Sequence, residues 1–210
     1  ITETLQNLLV TRESLEQNPQ SVQDTTYVTN TNGETTAKYV LHSNGWVYKT
    51  ELDANSKFEK YVATSQEKVP IENLRSLAIS SDGQTTVVTG EDPARSGVLG
   101  AAVSYDKGRT WKKINPPLVS GGYPGVGHNV IFIDGTTNKF LVSAASPEYK
   151  TGRLIFTANN QNEQFVATNL NGSSSRILVT EVNGTELKLI SLKFGASGFN
   201  LETINHQTGS

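Results

Sequence analysis

The sequence predicts an all-β fold of repeated four-stranded sheets arranged as a β-propeller, and three observations carry that expectation. Short runs of Val, Ile, Leu and Phe alternate with stretches rich in Gly, Ser, Thr and Asn along most of the 210 residues, the composition of strands separated by turns. Asn44-Gly45, Asp82-Gly83, Asp134-Gly135 and Asn183-Gly184 sit near strand junctions, and such pairs favour hairpins because both central residues accept positive φ. One turn pattern recurs: Asp or Asn, Gly or Asn two residues on, and an aromatic three further.

Taken in order, residues 1–20 differ from the rest. Leu5, Leu8, Leu9, Arg12 and Leu15 fall at helical spacing and predict a short helix before Asn18-Pro19, with an extended closing strand over LLVT as the alternative. Four groups of strands follow, over residues 21–65, 70–116, 124–169 and 174–205. The recurring turn occurs as Asp53, Asn55 and Phe58, as Asp106, Gly108 and Trp111, and as Asn160, Asn162 and Phe165. Phe199 marks a weaker fourth copy. The three aromatics stand 53 and 54 residues apart. A fixed interval near fifty with constant turn chemistry reads as propeller blades. An arc of four blades would leave two open sheet edges. The chain is therefore expected to close as a small propeller or to be completed by further blades from the same precursor or another chain.

Composition narrows the chemistry. Lys and Arg number 18 against 20 Asp and Glu, with no basic run, so nucleic acid is not an expected partner. No apolar stretch has the length of a bilayer span, and membrane insertion is not expected. Cysteine and methionine are absent, which excludes disulfides and thiolate metal sites. No signal peptide is visible and the first residue is Ile1, which reads as a processed or excised segment. His42, His128 and His206 have no metal-ligand spacing, and no cofactor is expected. Asn171-Gly-Ser173 and Asn183-Gly-Thr185 are glycosylation sequons.

The octapeptide SYDKGRTW, Ser104 to Trp111, makes physical sense as a corner. The Asp106 carboxylate can accept hydrogen bonds from turn amides, Gly108 can adopt a left-handed backbone, the Ser104 and Thr110 hydroxyls can tie the arms together, and Trp111 can cover the junction. It also resembles the Asp box, Ser-x-Asp-x-Gly-x-Thr-Trp, at every defined position. Asp boxes (BNR repeats) occur in the propellers of sialidases and sortilin-type receptors, at turns away from the active site. RSLAISSDGQTTVVTGEDPAR, Arg75 to Arg95, is similar to the sialidase segment that opens Arg-Ile-Pro and runs through an Asp-Gly hairpin to an acidic-Arg end. YPGVGHNVIFIDG, Tyr123 to Gly135, is similar to a sialidase blade beginning Pro-Gly-x-Gly. The similarity covers residues 73–168.

The resemblance implies a sialidase-like scaffold in the secretory pathway, at the cell surface or outside the cell. It also implies arginines that grip a sugar carboxylate, with Arg75, Arg153 and Arg176 as candidates. The departures bear on activity. Arg75 is followed by Ser-Leu instead of Ile-Pro, and SGVLGAAV has no carboxylate where the family's catalytic acid stands. Asp92 is the nearest substitute. The Tyr–Glu nucleophile pair belongs to later blades of a six-bladed family.

Read as side chains, Arg75 at the start of an inner strand can bind a carboxylate bidentately or form an interblade ion pair. Asp92 and Arg95 lie in a polar loop, and Tyr123 and His128 flank a glycine-rich turn suited to stacking on a sugar. Arg153 and Arg176 each precede an apolar strand. The expected function is a glycan- or protein-binding module, non-catalytic as it stands. A fragment of a sialidase-like glycoside hydrolase and a sortilin-like peptide-binding receptor or assembly factor are the alternatives.

Overall fold

The computed structural model describes residues 9–11, 22–51, 60–168, 177–192 and 197–210. Among these the chain is all-β and forms four consecutive antiparallel sheets. The first holds β1 (Leu9–Thr11), β2 (Val22–Thr29), β3 (Thr35–His42), β4 (Val47–Glu51) and β5 (Lys60–Ala63), in the order β1-β5-β4-β3-β2. The second holds β6 (Glu72–Ile79), β7 (Thr86–Asp92), β8 (Arg95–Ser104) and β9 (Lys112–Ile114). The third holds β10 (Val126–Phe132), β11 (Lys139–Ala145), β12 (Gly152–Thr157) and β13 (Gln164–Ala167). The fourth holds β14 (Ile177–Asn183), β15 (Glu186–Leu192) and β16 (Phe199–Asn205). Each is a meander of neighbouring strands, as in a propeller blade, with β1 added beyond β5 in the first sheet.

The N-terminal segment is strand, not helix, where it is described. Leu9 pairs with Val62 and Thr11 with Lys60. The edge of β5 offers the segment a ladder that an isolated helical turn lacks.

Strand alternation builds the cores. Val87 of β7 joins the core between the second and third sheets, and its neighbour Val88 joins the core between the first and second. Phe140, Val142 and Ala144 of β11 face the second sheet, whereas Leu141 faces the fourth. On β12, Leu154 and Phe156 point one way and Ile155 the other. A period of two sends successive side chains to opposite faces, so the middle sheets contribute to two cores at once. The third core joins Ile133, Leu141 and Ile155 to Ile177, Leu187, Leu189 and Ile204. A separate cluster, Val40, Trp46, Tyr48, Tyr61 and Ala63, is buried on the far face of the first sheet.

The inner strands β2, β6, β10 and β14 line one cavity of about 390 Å³, to which Asp24, Leu77, Val130 and Ile177 contribute one from each strand. This shared axis makes the four sheets propeller blades. Every inner strand carries a register shift against its neighbour: at Val22/Asp24, Glu72/Ser76, Gly127/Asn129 and Val179/Glu181. Such bulges bend a strand, increase its twist and redirect side chains.

The stretch from Ser104 to Trp111 links β8 to β9. Asp106 Oδ1 accepts from Ser104 Oγ at 2.7 Å and from Thr110 N at 2.9 Å, and Oδ2 accepts from Thr110 Oγ1 at 2.7 Å. Ser104 Oγ accepts from Gly108 N at 2.8 Å. Burial opposes ionisation of Asp106, but the Thr110 and Ser104 hydrogen bonds outweigh it and hold the carboxyl below its usual range. Lys107 and Gly108 both have positive φ, 63° and 82°. Trp111 packs against the core between the first two blades.

The other expected copies differ. Asp53, Asn55 and Phe58 lie outside the described residues. In the third copy, Asn159 accepts from Gln161 N through its side chain and from Asn162 N through its carbonyl, so Asn160 does not take the place of Asp106. Asn162 is not among the described residues with positive φ. Phe165 does cover an interblade core, stacked on Phe156 with centroids 4.7 Å apart. Phe199 does not: it is 56 % exposed on the far face of the last sheet.

A Cβ at Gly108 would meet Thr64 Oγ1 at 2.6 Å as well as bear a left-handed backbone. Gly108→Ala is expected to lower unfolding free energy by about 2 kcal/mol or more. Thr110→Ala, which removes one side-chain hydrogen bond, should cost about 1 kcal/mol. Equilibrium denaturant unfolding of both variants checks the ranking.

Candidate functional site

The strand directions sort the connections onto two faces. On the entry face lie the starts of the inner strands, the turn between β7 and β8, and the connection between β11 and β12. The hairpin between β6 and β7 and the Asp-box turn lie on the opposite face. Among the expected site residues, Arg75, Asp92, Arg95, Tyr123, His128 and Arg153 all fall on the entry side of the second and third blades.

Arg75 and His128 are brought together. Both sit in the bulges of their inner strands: the shift from Glu72 to Ser76 carries Arg75, and His128 is the extra residue between Gly127 and Asn129. The glycine-rich segment is a close approach as much as a turn. A Cβ at Gly127 would stand 2.7 Å from Leu99 Cδ1 and 2.8 Å from Thr89 Cβ, so glycine lets β10 seat against the second blade.

Arg75 Nη1 donates to His128 Nδ1 at 3.0 Å, and His128 Nε2 donates to the Ala145 carbonyl at 3.1 Å. A guanidinium only donates and a carbonyl only accepts, so the partners fix the neutral Nε2–H tautomer. Burial pushes the His128 pKa down, the Ala145 hydrogen bond opposes it, and the Arg75 charge lowers it further.

Around this pair opens a cleft of about 640 Å³, lined by Arg75, Glu91, Val126, His128, Ser146 and Thr151 among others. Glu91 accepts from Asn73 Nδ2 at 2.7 Å, from Ser96 Oγ at 2.8 Å and from Gly97 N at 2.8 Å. The Asn73 contact leads in holding its carboxyl below the usual range, with the Gly97 and Ser96 bonds and the Arg75 charge adding to it. Glu91 and Asn73 escaped the sequence reading because nothing in their spacing marks them. A carboxylate four residues before the Arg95-opened strand looks like ordinary loop polarity.

The other candidates are placed differently. One face of the Tyr123 ring is taken by the Arg95 guanidinium, which lies 4.4 Å from the centroid. Asp92 is buried; it pairs with Lys113 Nζ at 2.8 Å, lies 3.9 Å from Arg95, and accepts from Ala94 N. Arg153 is buried in an ion pair with Glu202 of the fourth blade. Arg176 lies outside the described residues. On the Asp-box face, Tyr105 donates to Glu163 Oε1 at 2.8 Å and Lys112 pairs with Glu163 Oε2 at 2.8 Å, stapling the second blade to the third. Among the described residues no group of three or more His, Asp or Glu could hold a metal ion, and no helix is long and apolar enough to cross a membrane.

No protein-family model matches the chain, and no curated protein matches it. Solved structures similar to it include a nidogen/laminin complex, at 11 % identity over 80 % of this chain and 58 % of that one, TM-score 0.47. TolB from Acinetobacter baumannii is 13 % identical over 91 % of this chain and 49 % of that one, TM-score 0.48. The dihydro-heme d1 dehydrogenase NirN in complex with DHE is 16 % identical over 97 % and 42 %, TM-score 0.47. The chain spans about half the length of these structures.

His128 supplies a pH signature. Its folded pKa lies below the unfolded value, so between the two the unfolded chain binds more protons and stability rises with pH. The contribution is present above about pH 6.5 and is lost as pH falls through the lowered folded value. His42, also lowered by burial, acts in the same direction. His128→Gln offers a similar donor and acceptor without titrating. Its stability, followed by denaturant unfolding across this window, should fall less steeply on acidification than that of the wild type.

Proposed function

We propose that the chain is a non-catalytic binding module that takes an acidic glycan in the entry-face cleft between the second and third blades. Arg75 carries the reading. One of its N–H groups is committed to His128, which orients the guanidinium, and the remaining donors form a fork suited to a sugar carboxylate. Ser96, Ser146 and Thr151 place hydroxyl groups around the cleft, and Val126, Ala145 and Pro147 supply apolar surface for the C–H face of a sugar ring. A ligand of this kind belongs at a cell surface or in the extracellular space.

The carboxylates favour binding over hydrolysis. Glycoside hydrolysis uses a carboxylic acid whose pKa is raised so that it can protonate the leaving group. Glu91 is shifted in the opposite direction, and Asp92 is buried against Lys113. A peptide ligand is the competing occupant of the same cleft.

The reading is tested on a panel of acidic and neutral glycans, with a fluorogenic sialoside assayed in parallel. Binding of carboxylated glycans without turnover is expected. Arg75→Ala should weaken it by roughly tenfold or more, and Arg75→Lys, which keeps the charge but not the fork, should recover only part. Turnover abolished by Arg75→Ala would establish the hydrolase instead, and equal binding of neutral and acidic sugars would remove the role given to the guanidinium.

A further inference from the structure

We propose that the entry-face cleft selects sugars carrying a lone carboxylate among hydroxyls and rejects sulfated ones, with Glu91 as the specificity-determining residue. The proposal rests on the acidic-glycan reading above and adds to it the charge density of the ligand. Arg75 and Glu91 line the same cleft, yet no ion pair joins them. Each is engaged by partners of its own. Arg75 Nη1 is bonded to His128 of the third blade. Glu91 takes three donors from its own blade: Ser96 Oγ and the Gly97 amide on Oε1, and Asn73 Nδ2 on Oε2. The cleft therefore presents one fixed positive group and one fixed negative group.

The carboxylate is built into the cleft wall. Its donors come from β6 and β8, on either side of β7. Asn73 lies in the bulge of β6 at φ 45°, a left-handed backbone that asparagine tolerates better than most residues. Gly90 lets that bulge close in on β7, since a Cβ there would stand 2.6 Å from the Glu72 carbonyl oxygen and 2.7 Å from that of Asn73. A carboxylate has about four acceptor positions. The three bonds use two on Oε1 and one on Oε2, so Oε2 keeps one for a ligand. A sugar held through its carboxylate by Arg75 can donate a ring hydroxyl there. A sulfate in the same place has no proton to give and meets a fixed like charge, which is how a site discriminates against a wrong ligand. Among the described residues lining the cleft Arg75 is the one cation, because His128 is neutral. A second anionic group therefore gains no partner to offset Glu91.

Isothermal titration calorimetry of the 210-residue chain tests the proposal with an unsulfated chondroitin disaccharide and its sulfated counterpart. The two share backbone and uronic carboxylate and differ in the sulfate. The unsulfated sugar is expected to bind roughly tenfold or more tighter. Glu91→Gln keeps the shape and removes the charge, and it should narrow that preference to within about threefold, chiefly by strengthening the sulfated sugar. Asn73→Gly removes one donor to Glu91 without straining the backbone and should narrow the preference in the same direction. Damage to the fold would weaken both sugars alike, so the ratio of the two affinities is the readout. A wild-type chain that binds both equally or prefers the sulfated sugar, or a preference unchanged in both variants, would overturn this inference and leave carboxylate binding through Arg75 standing. Binding of neither sugar while another carboxylated glycan binds would also overturn this inference alone. If no carboxylated glycan binds, the acidic-glycan reading falls with it.

Discussion

The structure depends on strands whose two faces are both apolar in the middle of the chain. In the second and third sheets successive residues are committed to different cores: Val87 and Val88, Ala101 and Ala102, Phe140 and Leu141, Leu154 and Ile155. A sandwich strand needs one buried face and can leave the other to solvent. A blade between two neighbours needs both. That requirement explains the continuous runs TVVTG, GAAVS, KFLVSA and RLIF, and why their alternation is hard to see in the sequence. A one-residue slip in any of them would exchange the side chains of two cores together, so the register of the middle blades is specified twice.

The blade count was legible, but the marker chosen for it was uneven. The aromatics of the recurring turn gave the right interval because Trp111 and Phe165 each cover an interblade core. The chemistry around them is not shared, since the Asn159 turn uses a different side chain and lacks the left-handed pair found at Lys107 and Gly108. A steadier marker was present in the inner hairpins. Gly33, Gly83, Gly135 and Gly184 all take positive φ at turns leading out of inner strands, and they recur at nearly the same spacing. Asn32-Gly33 and Asn44-Gly45 look alike in sequence, but only the first ends an inner strand. At the N-terminus the leucine spacing suggested a helix. The decisive factor, an available edge on β5, lies about fifty residues away and has no local signature.

The candidate site was legible as a list of residues and not as a geometry. Arg75 and His128 stand out in the sequence for separate reasons, and nothing in it shows that they touch. Their contact spans two blades and depends on a bulge in each inner strand. Bulges leave little trace in composition. Arg153, equally suggestive in sequence, is spent on Glu202, and one face of Tyr123 is covered by Arg95. An arginine or tyrosine at a strand start is one signal. Whether its polar or aromatic surface remains available is decided by residues in other blades.

Beneath the Arg75–His128 contact lies the reason for its geometry. An inner strand has a ladder partner on one side only, so its axis-facing amides need other acceptors. The preceding blade supplies them through side chains. Asp24 Oδ2 accepts from Leu77 N at 2.9 Å and from Ser76 Oγ at 3.1 Å. Ser76 Oγ in turn accepts from Val130 N at 3.0 Å and from Asn129 Nδ2 at 3.3 Å. The buried hydroxyl thus uses its one proton and both lone pairs, and it links the first three inner strands around the axis. Ser76 adjoins Arg75 in sequence, and Asn129 adjoins His128. The polar belt that satisfies the inner edges therefore also fixes the distance between the two residues at the mouth of the cleft. The packing of the first three inner strands and the Arg75–His128 contact thus meet at the same serine.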